Sequence, residues 1–115
     1  MKKPLVSIIV LTYNSSEYIE NCLNSLLKVR YHPIEIIVAD NNSQDRTTEI
    51  TNKYKDLIKV FLFKNNFGYA HGNNLAIDKA KGEYVFIINP DTVVTENFLD
   101  SLIDEALSNE KSVVC

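Results

Sequence analysis

Short polar clusters recur along this chain, and each follows an apolar run. They are Thr12-Tyr13-Asn14, Asp40-Asn41-Asn42, Asn65-Asn66 and Asn89-Pro90-Asp91. Carboxylate and amide oxygens accept hydrogen bonds from hydroxyl and ring N–H groups, and they also bind hard cations. If the apolar runs are parallel strands of one sheet, the clusters meet at its carboxyl edge, where ligands bind in such sheets. The spacing therefore predicts a site for a polar ligand.

The two carboxylates of these clusters are each open to two interpretations. Asp40 either accepts hydrogen bonds from a ligand's ring N–H or ribose hydroxyls, or it only caps the turn that follows its strand. Asp91, with the amide oxygen of Asn89, either supplies the protein's share of a Mg²⁺ or Mn²⁺ site or belongs to a simple turn. Spacing alone leaves both pairs of interpretations open.

The clusters are positioned by strands and helices that alternate along a single domain. Apolar runs at 5–11, 34–39, 58–63 and 84–88 predict strands, and the first run is nearly continuous, which is typical of a strand covered on both faces. Helical stripes lie between these runs, and 112–115 begins a further strand. This order predicts an α/β, Rossmann-like fold over residues 1–115, with a mostly parallel sheet, right-handed crossovers and helices on both faces.

Cap-forming residues and glycine set the expected limits of the helices. We expect Ser15 or Ser16 to cap the first helix and Ser43 or Asp45 to cap the second. Gly82 suits the position that ends the third helix. The first helix has an apolar stripe that includes a cysteine, which we expect to be a core residue; the stripe consists of Tyr18, Ile19, Cys22, Leu23, Leu26 and Leu27.

Composition excludes several classes of protein. The chain has 115 residues and a net charge of −3, which does not suit a nucleic-acid partner. No apolar run approaches the ~20 residues that cross a bilayer. No glycine-rich dinucleotide or P-loop motif and no paired-cysteine metal motif occurs. We expect a cytoplasmic protein, with the inner face of the membrane as a compatible location.

Four sequence blocks together resemble family 2 glycosyltransferases of the GT-A fold. The blocks are LVSIIVLTYN (5–14), IIVADNNSQD (36–45), NNFGYAHGNNLAI (65–77) and AKGEYVFIINPD (80–91). They cover essentially the whole chain in order, and the last two are most similar to a rhamnosyltransferase-like branch. The resemblance implies transfer of a sugar from a UDP- or dTDP-type nucleotide-diphosphate sugar to an acceptor hydroxyl, with inversion. It also implies a divalent metal and an acceptor that is a glycan or a lipid-linked glycan.

The resemblance also implies a role for each matched position. Thr12 and Asn14 would line the base and ribose pocket, and Asp40 would hold the base N–H. Asn89-Pro90-Asp91 takes the place of the family's Asp-x-Asp motif, with Asp91 as the metal ligand. Asn66, Gly68 and Asn73 would approach the ribose and diphosphate, and Asn73 stands where many members have Arg. The full set of implied substrate-binding residues is Thr12, Tyr13, Asn14, Asp40, Asn42, Asn66, Gly68, Asn73 and Asn89.

Members of this family run considerably further and carry their catalytic base in the second half. We therefore expect this chain to supply donor and metal binding without the base, and we assign it no catalytic residue. The alternative is a non-catalytic α/β binding or oligomerisation module that pairs with a second copy through an open sheet edge. A phospho-receiver domain is disfavoured, because Thr12-Tyr13-Asn14 stands where that class needs acidic residues.

Overall fold

The computed structural model describes residues 3–109 and 113–114, and in this part strands and helices alternate as expected. All strand pairs are parallel, in the order β3-β2-β1-β4-β5. The predicted Rossmann-like α/β fold is thereby confirmed. Ser112 and Cys115, at the ends of the predicted last strand, lie outside the described residues. The elements are β1 (Val6–Thr12), α1 (Ile19–Leu27), β2 (Ile34–Asp40), α2 (Thr47–Asn52), β3 (Lys59–Leu62), α3 (Tyr69–Ile77), β4 (Tyr84–Ile88), α4 (Phe98–Asn109) and β5 (Val113–Val114).

Helices cover both faces of the sheet, and the apolar side chains of β1, β2, β3 and β4 alternate between two clusters, one on each face. On β1, Ile8 and Val10 pack with residues of α1, α2 and α4. Ile9 and Leu11 pack on the opposite face, where Ala76 of α3 completes a smaller cluster. Every residue of β1 is buried, which explains why its sequence is nearly continuously apolar rather than alternating.

The carboxyl ends of the central strands meet at one edge of the sheet. Thr12 of β1 pairs with Asp40 of β2, and β4 runs in register along the other side of β1. The chain builds outward from β1 to β3 and then returns through α3 to place β4 beside β1. Strand order therefore reverses between β1 and β4, and sheets of this type bind ligands in the crevice at such a point.

The beginnings of the first two helices differ in part from the expectations. α1 begins only at Ile19, after a turn in which the N–H groups of Tyr18 and Ile19 donate to the carbonyl of Ser15, so the predicted serine cap is wrong. At α2 the N-cap position is Arg46 and no side chain caps the helix, so the predicted cap by Ser43 or Asp45 is also wrong, although Asp45 accepts a hydrogen bond from the N–H of Thr47, the first residue of the helix.

Two further side-chain expectations have different outcomes. Cys22 is buried in the larger cluster, as predicted, whereas Tyr18 and Leu27 lie outside the buried part of the α1 stripe. Gly82 does not end a helix, because α3 stops at Ile77. A Cβ at Gly82 would lie 2.6 Å from the backbone nitrogen of Ser7, so this glycine lets the chain pass close to β1. Within the described residues, no helix has the length and apolarity required to span a membrane.

Candidate functional site

A crevice of about 330 Å³ opens at the carboxyl edge of the sheet, where strand order reverses. This volume lies within the range of about 300–1,000 Å³ typical of small-molecule sites. All four polar clusters contribute to its wall, together with the beginning of α3. Five of the residues implied by the family resemblance take part, namely Thr12, Tyr13, Asn66, Gly68 and Asn89. The complete lining is Leu11, Thr12, Tyr13, Ser15, Asn41, Asn66, Gly68, Tyr69, Asn89 and Pro90.

Asp40 is buried beneath this edge and is held by the protein itself. Its Oδ1 accepts hydrogen bonds from the hydroxyls of Thr12, at 2.7 Å, and Ser43, at 2.6 Å. Its Oδ2 accepts one from the N–H of Ser43, at 2.8 Å. The side chain is 1% exposed and does not line the crevice. These contacts are those of a turn cap, and the hydroxyl of Thr12 is committed to Asp40.

Asn14 and Asn42 shape the loops that follow β1 and β2. Both have positive φ, 48° and 65°, a region that Asn adopts more readily than most residues. The N–H of Asn14 donates to Ser43 Oγ, and its side-chain oxygen accepts a hydrogen bond from the N–H of Gln44. Neither residue lines the crevice, so the structure brings them to the correct edge but not into the wall.

Asn41 lines the crevice and belongs to one of the four polar clusters, but it is not among the substrate-binding residues that the family resemblance implies. Its Nδ2 donates to the carbonyl of Gly68 at 3.0 Å, and its Oδ1 accepts from the N–H of Phe67 at 3.2 Å. Pro90 likewise belongs to a polar cluster without being among those implied residues, whereas Leu11, Ser15 and Tyr69 line the crevice without having been predicted to do so. The sequence does contain a signal for Asn41. Side chains alternate along a strand, so Asn41 is expected on the same face of β2 as Ile37 and Ala39, whose side chains face α3.

The beginning of α3 forms one end of the crevice. Gly68 precedes the helix with φ 81°, and no side chain caps it. The Oδ1 of Asn66 accepts a hydrogen bond from the N–H of Gly68. The first N–H groups of a helix have no partner within the helix and carry a partial positive charge. This end of the crevice therefore favours an anionic group.

Asn73 lies one turn below Tyr69 on α3. It is 3% exposed, and neither atom of its amide has a hydrogen-bond partner among the described residues. It does not line the crevice. Its implied contact with ribose or diphosphate stays a prediction.

Asp91 and Asn89 are exposed in the turn that follows β4. The carbonyl of Asn89 lies 4.0 Å from the Sγ of Cys22. Burial, with a smaller contribution from the charge of Asp91, raises the pKa of Cys22 to about 11. Among the described residues, no three His, Cys, Asp or Glu side chains come together as a metal site. The oxygens of Asp91 and Asn89 fit a Mg²⁺ or Mn²⁺ ion only if water and phosphate supply the other ligands.

Comparison with known proteins adds independent evidence. A family model described as glycosyl transferase family 2 matches residues 7–115. The glycosyltransferase GlyG of Streptococcus pneumoniae serotype 4 is 34% identical over 113 residues, which is 96% of this chain and 38% of that protein. In Escherichia coli, the UDP-Glc:alpha-D-GlcNAc-diphosphoundecaprenol beta-1,3-glucosyltransferase WfaP is 40% identical over 89 residues, covering 76% of this chain and 35% of that protein.

Solved structures show the same fold. S. aureus TarS 1-349 in complex with UDP-GlcNAc has a TM-score of 0.82 and 32% identity, over 91% of this chain and 32% of that one. The mannosyltransferase PcManGT from Pyrobaculum calidifontis, in complex with GDP-Man and Mn²⁺, has a TM-score of 0.76 and 28% identity, over 89% of this chain and 31% of that one. The likeness confirms the expected GT-A type of fold. The chain spans between a third and just under half of the length of the first curated relatives it matches.

Proposed function

This chain belongs to glycosyl transferase family 2, and on that basis we propose that it forms the donor-binding part of an enzyme that transfers a sugar from a nucleotide-diphosphate sugar to an acceptor hydroxyl with inversion. The nucleotide is of UDP or dTDP type, and the acceptor is a glycan or lipid-linked glycan. The observation that carries the proposal is the crevice at the strand-order reversal, which joins an exposed aromatic ring, several amides and the beginning of a helix.

In this proposal different residues of the crevice contact different parts of the donor. The ring of Tyr13 is 47% exposed and offers a face on which a nucleobase can stack. The amides of Asn66 and Asn89 suit ribose or sugar hydroxyls, and the uncapped N-terminus of α3 suits the diphosphate. TarS, whose complex with UDP-GlcNAc shares this fold, supports a nucleotide sugar as the ligand. In this proposal Thr12, Asp40, Asn14 and Asn42 act by fixing the loops.

The proposed metal site consists of the carboxylate of Asp91 and the amide oxygen of Asn89. A bound Mg²⁺ or Mn²⁺ would offset the diphosphate charge as the bond between the sugar and the nucleotide breaks. With one carboxylate and one neutral amide, these residues would hold the ion mainly when a diphosphate is present. In this proposal the general base that deprotonates the acceptor lies outside residues 3–109. Homo-oligomerisation and membership of the rhamnosyltransferase-like branch stay predictions.

Isothermal titration calorimetry of the chain with UDP tests the nucleotide site. We expect Tyr13→Ala to weaken UDP binding by about tenfold or more, because base stacking on an aromatic side chain contributes about 1–3 kcal/mol. Leu57→Ala is the matched control, since Leu57 is exposed and lies outside the crevice. A folded chain that takes up no UDP in the presence of Mg²⁺ would contradict the proposal.

The metal site is tested by the same titration with and without Mg²⁺. We expect Mg²⁺ to strengthen UDP binding in the wild-type chain and Asp91→Asn to remove most of that gain. Asp56→Asn should retain it, because Asp56 is exposed and lies outside the crevice. Equal enhancement by Mg²⁺ in all three proteins would remove Asp91 from the site.

A further inference from the structure

Asp45 begins a hydrogen-bonded path that leads to the crevice, although its own side chain lies outside it. Its Oδ1 accepts from the N–H of Thr47 at 2.9 Å and from the Thr47 hydroxyl at 2.5 Å. Its Oδ2 accepts from the N–H of Ser16 at 3.2 Å. Partial desolvation opposes ionisation of Asp45, but the hydrogen bonds from Thr47 and Ser16 outweigh it and lower the pKa to about 2. Asp45 is therefore a charged acceptor at neutral pH.

Thr47 connects Asp45 to the loop after β1 by a second hydrogen bond. Its side chain is fully buried, and its Oγ1 accepts a hydrogen bond from the N–H of Ser15 at 2.7 Å. Because the hydroxyl proton of Thr47 is donated to Asp45, a lone pair of the same oxygen remains for Ser15. Ser15 and Tyr13 are in turn joined by hydrogen bonds of 3.2 Å, and both line the crevice.

The segment 13–16 depends on side chains for its hydrogen bonds. It follows the end of β1, where ladder pairing stops, and all four of its N–H groups donate to side-chain oxygens. The N–H of Tyr13 donates to Ser15 Oγ, and that of Asn14 donates to Ser43 Oγ. The N–H of Ser15 donates to Thr47 Oγ1, and that of Ser16 donates to Asp45 Oδ2. The hydrogen bond from Ser15 to Thr47 is buried and the one from Ser16 to Asp45 is exposed. Because a buried N–H group requires a partner, Thr47 fixes the position of the chain at Ser15, and Asp45 in turn holds the hydroxyl of Thr47.

We propose that Asp45 is a positioning residue for the donor nucleotide, which acts through Thr47 and Ser15 to hold Tyr13 in the crevice wall. The inference rests on the proposed function for the identity of the ligand. A cap for α2 alone would not require the Thr47 hydroxyl to accept an N–H from a different loop. The neutral side chain of Asn at position 45 would weaken the path without removing volume, because hydrogen bonds to a charged acceptor are the stronger ones.

Two measurements on the 115-residue chain test the inference. The first is amide hydrogen exchange of Ser15 and Ser16, followed by NMR without ligand. Thr47→Val should speed this exchange by about tenfold, the loss expected for one hydrogen bond, and Asp45→Asn should act in the same direction. Thr47→Ser keeps the hydroxyl and should restore protection. Thr48→Val is the matched control, one residue further along α2.

The second measurement is the dissociation constant for UDP with Mg²⁺, taken where circular dichroism shows each variant to be folded. Thr47→Val and Asp45→Asn should weaken binding by about five- to tenfold, and Thr47→Ser should bind like the wild type. Should Thr47→Val fail to fold, Asp45→Asn decides the matter, because its side chain is exposed. Unchanged exchange in the folded variants, or faster exchange with unchanged affinity, overturns the inference.

The two proposals fail in different ways. If the wild-type chain binds no UDP, the proposed function fails, and the exchange data alone decide whether Asp45 orders segment 13–16. If the wild type binds and Thr48→Val weakens binding as much as Thr47→Val, the effect is general and the inference is wrong.

Discussion

Replacement of Asp40 by Asn separates the two interpretations of this carboxylate. With the amide oxygen at the position of Oδ1, Thr12 and the Ser43 hydroxyl keep their acceptor, but the amide nitrogen then faces the N–H of Ser43. The variant loses one hydrogen bond to a charged group, which contributes about 1.5–3 kcal/mol, and leaves a buried donor unpaired, which costs about 1–3 kcal/mol. Because these terms overlap, we expect Asp40→Asn to lower the free energy of unfolding by about 2–4 kcal/mol.

Urea unfolding followed by far-ultraviolet circular dichroism measures this loss. With a urea dependence of about 2 kcal/mol per molar, typical of small proteins, the midpoint should fall by about 1–2 M. Asp56→Asn, exposed and remote from the crevice, should leave the midpoint unchanged. UDP affinity of folded Asp40→Asn should change less than that of Tyr13→Ala. Wild-type stability combined with an affinity at least about tenfold lower would refute the cap and show that Asp40 contacts the ligand.

Two further predictions concern positions outside the crevice. Gly82→Ala should lower the free energy of unfolding by about 1–3 kcal/mol, because its Cβ would lie 2.6 Å from the Ser7 nitrogen; a urea midpoint equal to that of the wild type would contradict this. Cys22 is 1% exposed and its pKa is raised to about 11, mainly by burial, so iodoacetamide at pH 8 should leave it unmodified in native Cys115→Ser chain and label it in urea. Rapid labelling of the native chain would contradict the buried position.

Most of the fold could be predicted from sequence because the signal is local. A nearly continuous apolar run is enough to place β1, and strict alternation of strands and helices is enough to predict a parallel sheet. Partners distant in sequence could not be read in this way. The role of Gly82 depends on its close approach to the backbone of Ser7, which is 75 residues earlier in the chain. The local sequence around α3 contains no sign of this contact and therefore predicted that Gly82 ends the helix.

The candidate site shows the same division between local and distant information. Four clusters at strand ends were enough to locate the crevice, but charge was a poor guide to which side chain faces it. In the alternation along β2, Asp40 falls on the same face as the residues that pack beneath α1, and Asn41 falls on the same face as those that pack against α3. The carboxylate is therefore used within the protein, and the neutral neighbour reaches the wall.

The hydrogen bonds that join the loops after β1 and β2 constrain how this region can be re-engineered. Residues 13–16 and 43–47 are hydrogen-bond partners of one another. Transplanting either loop alone into a related protein would therefore leave hydrogen-bond donors or acceptors without partners. A chimaera should exchange both as one cassette. Among the described residues, Asn89 and Pro90 in the turn after β4 have fewer hydrogen bonds of this kind, so that turn need not be exchanged with the other two loops.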